Sequence, residues 1–316
     1  MLSRIADALF WLNRYMERSE GMLRTIHTHY ILSFDKDESN HHFWEPLLEL
    51  FTQLPEDKMQ TISANTQEAL RYLVYDPQNV NSIKQIIGKA RENARGIQDN
   101  ITKEVWEHVN RLYHRMQEPM FEQELKSIDV VPLLDDLLSR TILYAGISDT
   151  TMPRGMGWSF MNLGRFTERC LLTVQLTMKE FEKIDYDLLQ QERDILYWRH
   201  LLLNLSGYEH HLKTYRSATT NFNIIDQIIL DKNFPRSIKY SLNKMEKYLK
   251  EVVQSESSIS TPVQQLYLEF SRFNSQIQFA DIQYIQQHGL KNFMEMIQTN
   301  LYQFTHRLGQ LFFSYT

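Results

Sequence analysis

A single cysteine, Cys170, occurs in 316 residues. No intrachain disulfide can form, which suits a reducing compartment. Glycine and proline are also scarce, at ten and eight residues, against roughly 12% of an average chain. That scarcity excludes a fold of short strands joined by tight turns, which needs both residue types. No segment reaches the roughly 18 uncharged apolar residues of a membrane span. The apolar start of the chain is broken by Arg4, Asp7 and Arg14, too polar for a signal-peptide core. Runs of lysine and arginine are missing as well. With 34 basic and 39 acidic residues the net charge is −5, which gives no general attraction to nucleic acid or anionic lipid. These absences predict a cytoplasmic chain with no membrane and no nucleic-acid partner.

Motifs of known chemistry are missing too. The sequence holds no HExxH, GxSxG, phosphate-binding Gly-rich loop or GxGxxG in strand context. Eleven histidines raise the question of a metal. The clusters are His41-His42, Glu209-His210-His211, and His108 with His114. None has the paired ExxH spacing of a helical di-metal site, so no metal and no cofactor are expected. Cys170 follows Arg169 directly. A guanidinium beside a thiol can activate it, but the plainer reading is a small buried apolar group on a helix.

Helical periodicity is what the chain does have. Ile5, Ala8, Leu9, Leu12, Met16, Leu23 and Ile26 recur at three- and four-residue steps, one helix face. Further helices are predicted over 43–54, then up to Asp76-Pro77, then from an Asn81 or Ser82 cap toward Met116, and over 133–144. The stretch Gly146–Gly157, rich in Gly, Ser, Thr and Pro, reads as a loop between halves. Helices over 158–182, 188–215 and 222–230 follow. Asp231-Lys232-Asn233-Phe234-Pro235 reads as a turn, with Asp231 or Asn233 capping the next helix and Pro235 and Arg236 in its first turn. A polar loop at Ser255–Thr261 precedes two closing helices. The expected fold is all-α: one domain over 1–316, about ten helices, in bundle-like halves of about 1–147 and 155–316.

Two segments resemble each other. Leu12-Asn13-Arg14-Tyr15-Met16-Glu17-Arg18 and Leu163-Gly164-Arg165-Phe166-Thr167-Glu168-Arg169 match at Leu, Arg, Glu and Arg, with an aromatic at the same place. The match suggests an internal duplication. Arg, Glu three positions on and Arg one further share a helix face. In the first copy this face lies opposite the Leu/Ile stripe, yet Phe10 falls among its charges, and Met161 takes that place in the second. Both faces of these helices are therefore expected to be covered. Three readings of the motif stay open: a surface ion pair, a buried structural network between halves, or an anion site in which paired guanidinium forks hold carboxylate or phosphate.

A second polar cluster is Arg91-Glu92-Asn93 with Arg95. Arg91 and Arg95 lie one turn apart, and a surface salt bridge is its plain reading. Arg236, placed in a helix first turn, is disfavoured by the helix dipole unless an anion is held nearby. Trp106, Trp158 and Tyr15 read as core aromatics.

Together these segments resemble the alpha-E family, named for a predicted α-helical domain with an "ER" motif. The resemblance lies in Met1-Leu2-Ser3-Arg4-Ile5-Ala6-Asp7, Arg14…Glu17-Arg18, Ala90-Arg91-Glu92-Asn93-Ala94-Arg95, and Glu104-Val105-Trp106-Glu107 with Asn110. It continues through Gly157-Trp158…Gly164-Arg165…Glu168-Arg169 and Asp231…Phe234-Pro235-Arg236-Ser237. These stand in family order over about 1–246. The loop from Met152 to Met156 and Asn162 depart from the pattern.

The resemblance implies bacterial partners: a circularly permuted ATP-grasp-like protein and a transglutaminase-like protein, encoded beside such domains or fused to them. ATP-grasp enzymes join a carboxylate to an amine through an acyl phosphate. The first expectation is thus a non-catalytic accessory or scaffold in an amide-bond-forming peptide-ligase system. Arg14, Arg18, Arg165, Arg169, Arg91, Arg95 and Arg236 would hold a carboxylate or phosphate, and Glu17 and Glu168 would hold the Arg heads. The second is a transferase or hydrolase acting on the product of that system, with Glu17 or Glu168 as acid or base. A carboxylate flanked by two guanidiniums is a weak base, which argues against it. The third is a purely structural homo-oligomer.

Overall fold

The computed structural model describes residues 1–34, 43–189, 193–215, 220–254 and 260–313. Among these there is no strand. Sixteen α-helices are present among the described residues rather than about ten. The first eight are α1 (Ser3–Ser33), α2 (Glu45–Phe51), α3 (Glu56–Ser63), α4 (Thr66–Val74), α5 (Ile83–Gly96), α6 (Lys103–Arg115), α7 (Phe121–Leu125) and α8 (Val131–Thr151). They are followed by α9 (Met156–Glu182), α10 (Ile195–Asn204), α11 (Tyr208–Thr214), α12 (Thr220–Ile225), α13 (Ile238–Gln254), α14 (Thr261–Gln278), α15 (Ile282–His288) and α16 (Leu290–Leu308).

The higher count comes from interruptions that need neither proline nor a long loop. The helix expected from Ser82 to Met116 is two. Ser82 does cap α5, accepting from the Gln85 N–H, but the helix ends at Gly96, and Thr102 caps α6 by accepting from the Val105 N–H. The helix expected over 188–215 breaks at Ser206-Gly207, with Ser206 in the left-handed region at φ 54°. Asn65 separates α3 from α4 by accepting from the N–H groups of Gln67 and Glu68. The expected loop at Gly146–Gly157 shrinks to a few residues. Within it α8 continues to Thr151, because Thr150 Oγ1 donates to the Gly146 carbonyl and Thr151 Oγ1 to that of Ile147, both at 2.8 Å. Those hydroxyls find partners inside the helix instead of breaking it. The closing segment has three helices, not two, since α15 intervenes. Of the expected loop at Ser255–Thr261, residues 255–259 lie outside the described residues, as do His41 and His42.

The chain divides into two compact units. The first is Trp11–Pro153; the second joins Met1–Phe10 to Arg154–Thr316. Helix α1 therefore contributes to both. In the first unit, Leu12, Met16, Leu23 and Ile26 of α1 are buried. Tyr144 of α8 donates to Asn13 Oδ1 at 2.5 Å, and His108 of α6 bonds the Arg140 carbonyl of α8 at 2.7 Å. Helices α5 and α6 pack against each other, with Ile83, Ile86, Ile87, Ala90 and Ala94 of α5 buried at helical spacing.

In the second unit α9 is the central element. Every residue from Trp158 to Gly164 is buried, so the helix is covered all round. Its main neighbour is α13, then α16 and α10. Phe160 meets Phe312 and Phe313, Phe313 also meets Phe10, and Phe181 stacks on Trp198 at 4.4 Å. The series α1–α8 and α9–α16 each open on a long helix, continue with three short ones, two of middle length and one short one, and close on a long one.

Candidate functional site

In the first unit the motif face of α1 is covered. Asn13, Arg14 and Glu17 are buried and Arg18 is half-buried, which removes the surface ion-pair reading for this copy. The Arg14 guanidinium lies 4.7 Å above the Trp11 ring, and Trp11 and Tyr15 have centroids 5.3 Å apart. Helix α5 brings up a residue that the sequence did not single out, Lys89. Its ammonium donates to the Val80 carbonyl at 2.9 Å and lies 6.0 Å from the Tyr15 ring centre. Burial lowers its pKa, and the charge of Arg18 lowers it further. Arg18 and Lys89 are thus close neighbours, and no sequence motif links them.

The Arg91 cluster faces elsewhere. Arg91 Nε donates to Asn110 of α6 at 2.8 Å, its other arm meets Glu92 at 3.0 Å, and its guanidinium covers the Tyr113 ring at 4.5 Å. Arg95 is exposed and pairs with the same Glu92 at 2.5 Å. Asn93 is half-buried. This is a half-exposed ion-pair group, separate from Arg18 and Lys89. Trp106 and Tyr15 are half-buried rather than core residues, whereas Trp158 is buried. Both half-buried rings sit beside cations, and charge keeps such faces partly open.

In the second unit Glu168, Arg169 and Arg236 are buried and Arg165 is half-buried. Arg165 and Arg169 flank the Phe166 ring at 5.7 and 5.3 Å. Arg169 donates to the Pro235 carbonyl at 3.4 Å, and Thr173 Oγ1, one turn along α9, donates to the Arg236 carbonyl at 3.0 Å. The second motif helix is therefore tied to the 231–237 turn.

That turn is built from its own side chains. Asp231 accepts from the Asn233 N–H through Oδ1 at 2.7 Å and from His210 Nε2 through Oδ2 at 2.7 Å. His210 stacks on Phe234 with nearly parallel rings. Ser237, not Asp231 or Asn233, caps α13, its hydroxyl accepting from the Tyr240 N–H at 3.0 Å. Helix α13 begins at Ile238, so Pro235 and Arg236 precede the cap. Arg236 therefore stands outside the first turn in which it was expected, and the Ser237 hydroxyl takes one of the N–H groups that an anion there would have used.

A related arrangement occurs in the first unit. Asp76 accepts from the Gln78 N–H through Oδ1 at 2.8 Å and from Arg71 through Oδ2 at 2.9 Å, and six residues on Ser82 caps α5. Asp231 and Ser237 stand six apart in the same roles. The carbonyl of the fourth residue after each aspartate, Val80 or Pro235, accepts from a cation. Lys89 follows Ser82 by seven residues, as Lys244 follows Ser237.

Two of the clustered histidines are engaged singly. His211 bonds Gln227 at 2.7 Å, and His108 bonds a carbonyl. No group of three or more His, Cys, Asp or Glu side chains able to hold a metal occurs among the described residues. Cys170 is fully buried, and burial pushes its thiol far above the ordinary range, in line with the plainer reading of a small buried apolar group. Among the described residues no helix is long and apolar enough to cross a membrane.

Fold and motifs together define an all-helical protein with an Arg–Glu–Arg helix in each unit. The chain belongs to the Alpha-E family, described as a predicted alpha-helical domain with a conserved ER motif, and the match spans residues 1–313. It is also similar to an uncharacterized protein of Mycobacterium bovis, 22% identical over 284 residues. Uncharacterized proteins of two Mycobacterium tuberculosis strains match equally, at 22%. The alignments cover 81% of this chain but 30% of each relative, so the chain spans about a third of their length. No solved structure matches significantly.

Proposed function

We propose that this chain is a non-catalytic helical accessory protein of a bacterial amide-bond-forming system, working in the cytoplasm with a circularly permuted ATP-grasp-like protein and a transglutaminase-like protein. In this reading it holds a carboxylate- or phosphate-bearing group through paired arginines. The observation that carries the binding part is the burial of Glu168, Arg169 and Arg236 around one turn, with the α9 helix bonded to that turn through Arg169 and Thr173. Buried guanidiniums are costly unless they are paired and hydrogen-bonded. A chain that gathers several on rigid helices holds a preorganised cluster suited to a planar anion. Arg14 and Arg18 with Lys89 form the corresponding group in the first unit; Arg165 joins Arg169 and Arg236 in the second. Arg91, Asn93 and Arg95 form a separate group, in which Arg91 links α5 to Asn110 of α6.

The halves descend, in this reading, from one duplicated unit. The repeated order of helix lengths supports this. So do the two Asp-to-Ser turns six residues long, each with a carbonyl that receives a cation.

The test is capture from the native host with tagged wild type and an Arg14→Ala/Arg165→Ala double variant, both checked for helicity by circular dichroism. Retention of an ATP-grasp-like or transglutaminase-like protein by wild type alone supports the reading. Equal retention by the folded variant removes the motif from the interface. Capture of no protein overturns the accessory role, and sedimentation as a stable oligomer would then favour a structural one.

A further inference from the structure

The last helices of the second unit carry a feature unrelated to the ER motif. Helices α14 and α16 lie side by side, and Phe270 of α14 meets Phe304 of α16 with centroids 4.6 Å apart. Above this contact they leave a cavity of about 530 Å³, floored by Leu266, Phe270, Phe273 and Phe304. A second hollow of about 520 Å³ lies on the other side of α14, and Arg272 and Gln276 line both. Such volumes suit a small ligand or one or two residues of a peptide.

Charge distinguishes this groove from an ordinary gap between helices. At one wall Arg307 of α16 is paired with Glu269 of α14, which also accepts from Gln265. Arg272, on the ridge, is exposed and makes no ion pair, hydrogen bond or ring contact among the described residues. The first unit treats its comparable arginine differently. Arg115 of α6 is committed to Glu118, Glu124 and Asp136 at 2.7, 2.5 and 3.3 Å, the last of them on α8. That helix pair is bridged by its arginine. The α14–α16 pair is bridged by Arg307 and Glu269 instead, and its ridge arginine, Arg272, is left unused. Asn300 and Gln303 of α16 and Gln276 of α14 add amide groups along the rim, able to donate to and accept from a peptide backbone.

We propose that this groove binds the C-terminal residue of a peptide with an apolar or aromatic side chain. The side chain enters the Phe270/Phe273/Phe304 hollow, and the terminal carboxylate takes the Arg272 guanidinium as a planar two-pronged partner. The rim amides hold the preceding peptide unit. The site depends on α14 and α16 only, so it stands or falls independently of the accessory role proposed above.

The probe is a fluorescein-labelled peptide, Gly-Ser-Gly-Ser-Ala-Phe, prepared with a free C-terminal carboxylate and as the C-terminal amide. Fluorescence anisotropy is read on the full chain. The acid is expected to bind at least about tenfold tighter than the amide, the difference one charge-assisted contact confers. Arg272→Gln should erase that preference while leaving weak binding of both forms. Gln303→Trp, a surface change that fills the groove, should abolish binding of both without loss of helicity. Equal affinity for acid and amide, or unchanged acid binding in Arg272→Gln, would overturn the proposal. So would no binding of the acid at millimolar protein. If 3-phenylpropionate alone displaces the peptide at equal concentration, the groove is a site for aromatic acids and its assignment to a peptide terminus is wrong.

Discussion

The backbone carbonyl of Phe10 occupies the space where a side chain on Gly164 would begin: a Cβ there would lie 2.1 Å from the oxygen. Backbone meets backbone where α1 crosses α9, inside the second motif. The neighbour is main chain and cannot swing aside. Gly164→Ala should therefore destabilise by about 3 kcal/mol or more, despite the better helix propensity of alanine. Gly146, exposed in α8, has nothing within 4 Å of a built Cβ, so Gly146→Ala should stabilise by about 0.5–1 kcal/mol. Urea denaturation of the two variants beside wild type reads both signs. A Gly164→Ala midpoint at or above wild type would mean the crossing is looser than described.

Acid sensitivity should centre on Glu180. Burial alone would push its carboxyl up, but the hydrogen bond from His200 and the charge of Lys183 outweigh this and carry it down to about 2. Lys183 donates to both carboxylate oxygens at 2.9 and 2.8 Å. A group whose folded pKa lies below its unfolded one near 4.5 contributes stability that is complete above that value and is lost as pH falls toward about 2. The contribution is on the order of 3 kcal/mol. His27, His108 and His211 act at higher pH. Burial lowers each of them, so their contribution fades as pH drops below about 6.5. Thermal midpoints should fall in two stages between pH 7 and 3. Glu180→Gln should flatten the lower stage and leave the upper one; an unchanged lower stage would place the acid sensitivity elsewhere.

Cys170 should behave as a core atom rather than a reactive thiol. It is fully buried on α9, and burial raises its pKa, which withholds the thiolate that alkylating agents attack. Labelling by iodoacetamide should require opening of the unit and run at least about 100-fold slower than a free peptide thiol. Labelling that keeps pace with a peptide control, in a chain still helical, would show that α9 opens locally.

The fold class was legible because helical periodicity and scarce breakers act locally, and α9 was placed within two residues of its observed start. Element number was not legible. Breaks such as Ser206-Gly207 depend on packing, where Gly207 fits against Gln227 and Phe234 with no room for a Cβ, and nothing local announces that neighbour. Burial of Arg14 and Glu17 was readable from Phe10 sitting among the charges. Lys89 was not, because its place beside Arg18 depends on how α5 meets α1. Arg236 was misplaced for a different reason. Asp231 and Asn233 are good caps by type, but the capping role fell to Ser237, whose hydroxyl both accepts from Tyr240 and donates to the Asp231 carbonyl.

The paired turns offer a way to separate structure from function. Asp76 and Asp231 each hold a downstream N–H through one oxygen and a basic side chain through the other. Replacing either by alanine removes two hydrogen bonds, one of them charge-assisted or to an imidazole, and should cost about 2 kcal/mol. Both variants should thus lose stability to a similar degree in chemical denaturation. Their effect on partner capture should differ. The second turn carries the buried Arg236 and receives Arg169, whereas the first has Asn81 where Arg236 stands. At a temperature where both variants are fully helical, Asp231→Ala should lower retention of a co-purifying protein and Asp76→Ala should not. Equal loss in both would mean that the turns matter only for folding, and the arginine-based binding role would have to be given up for the second unit.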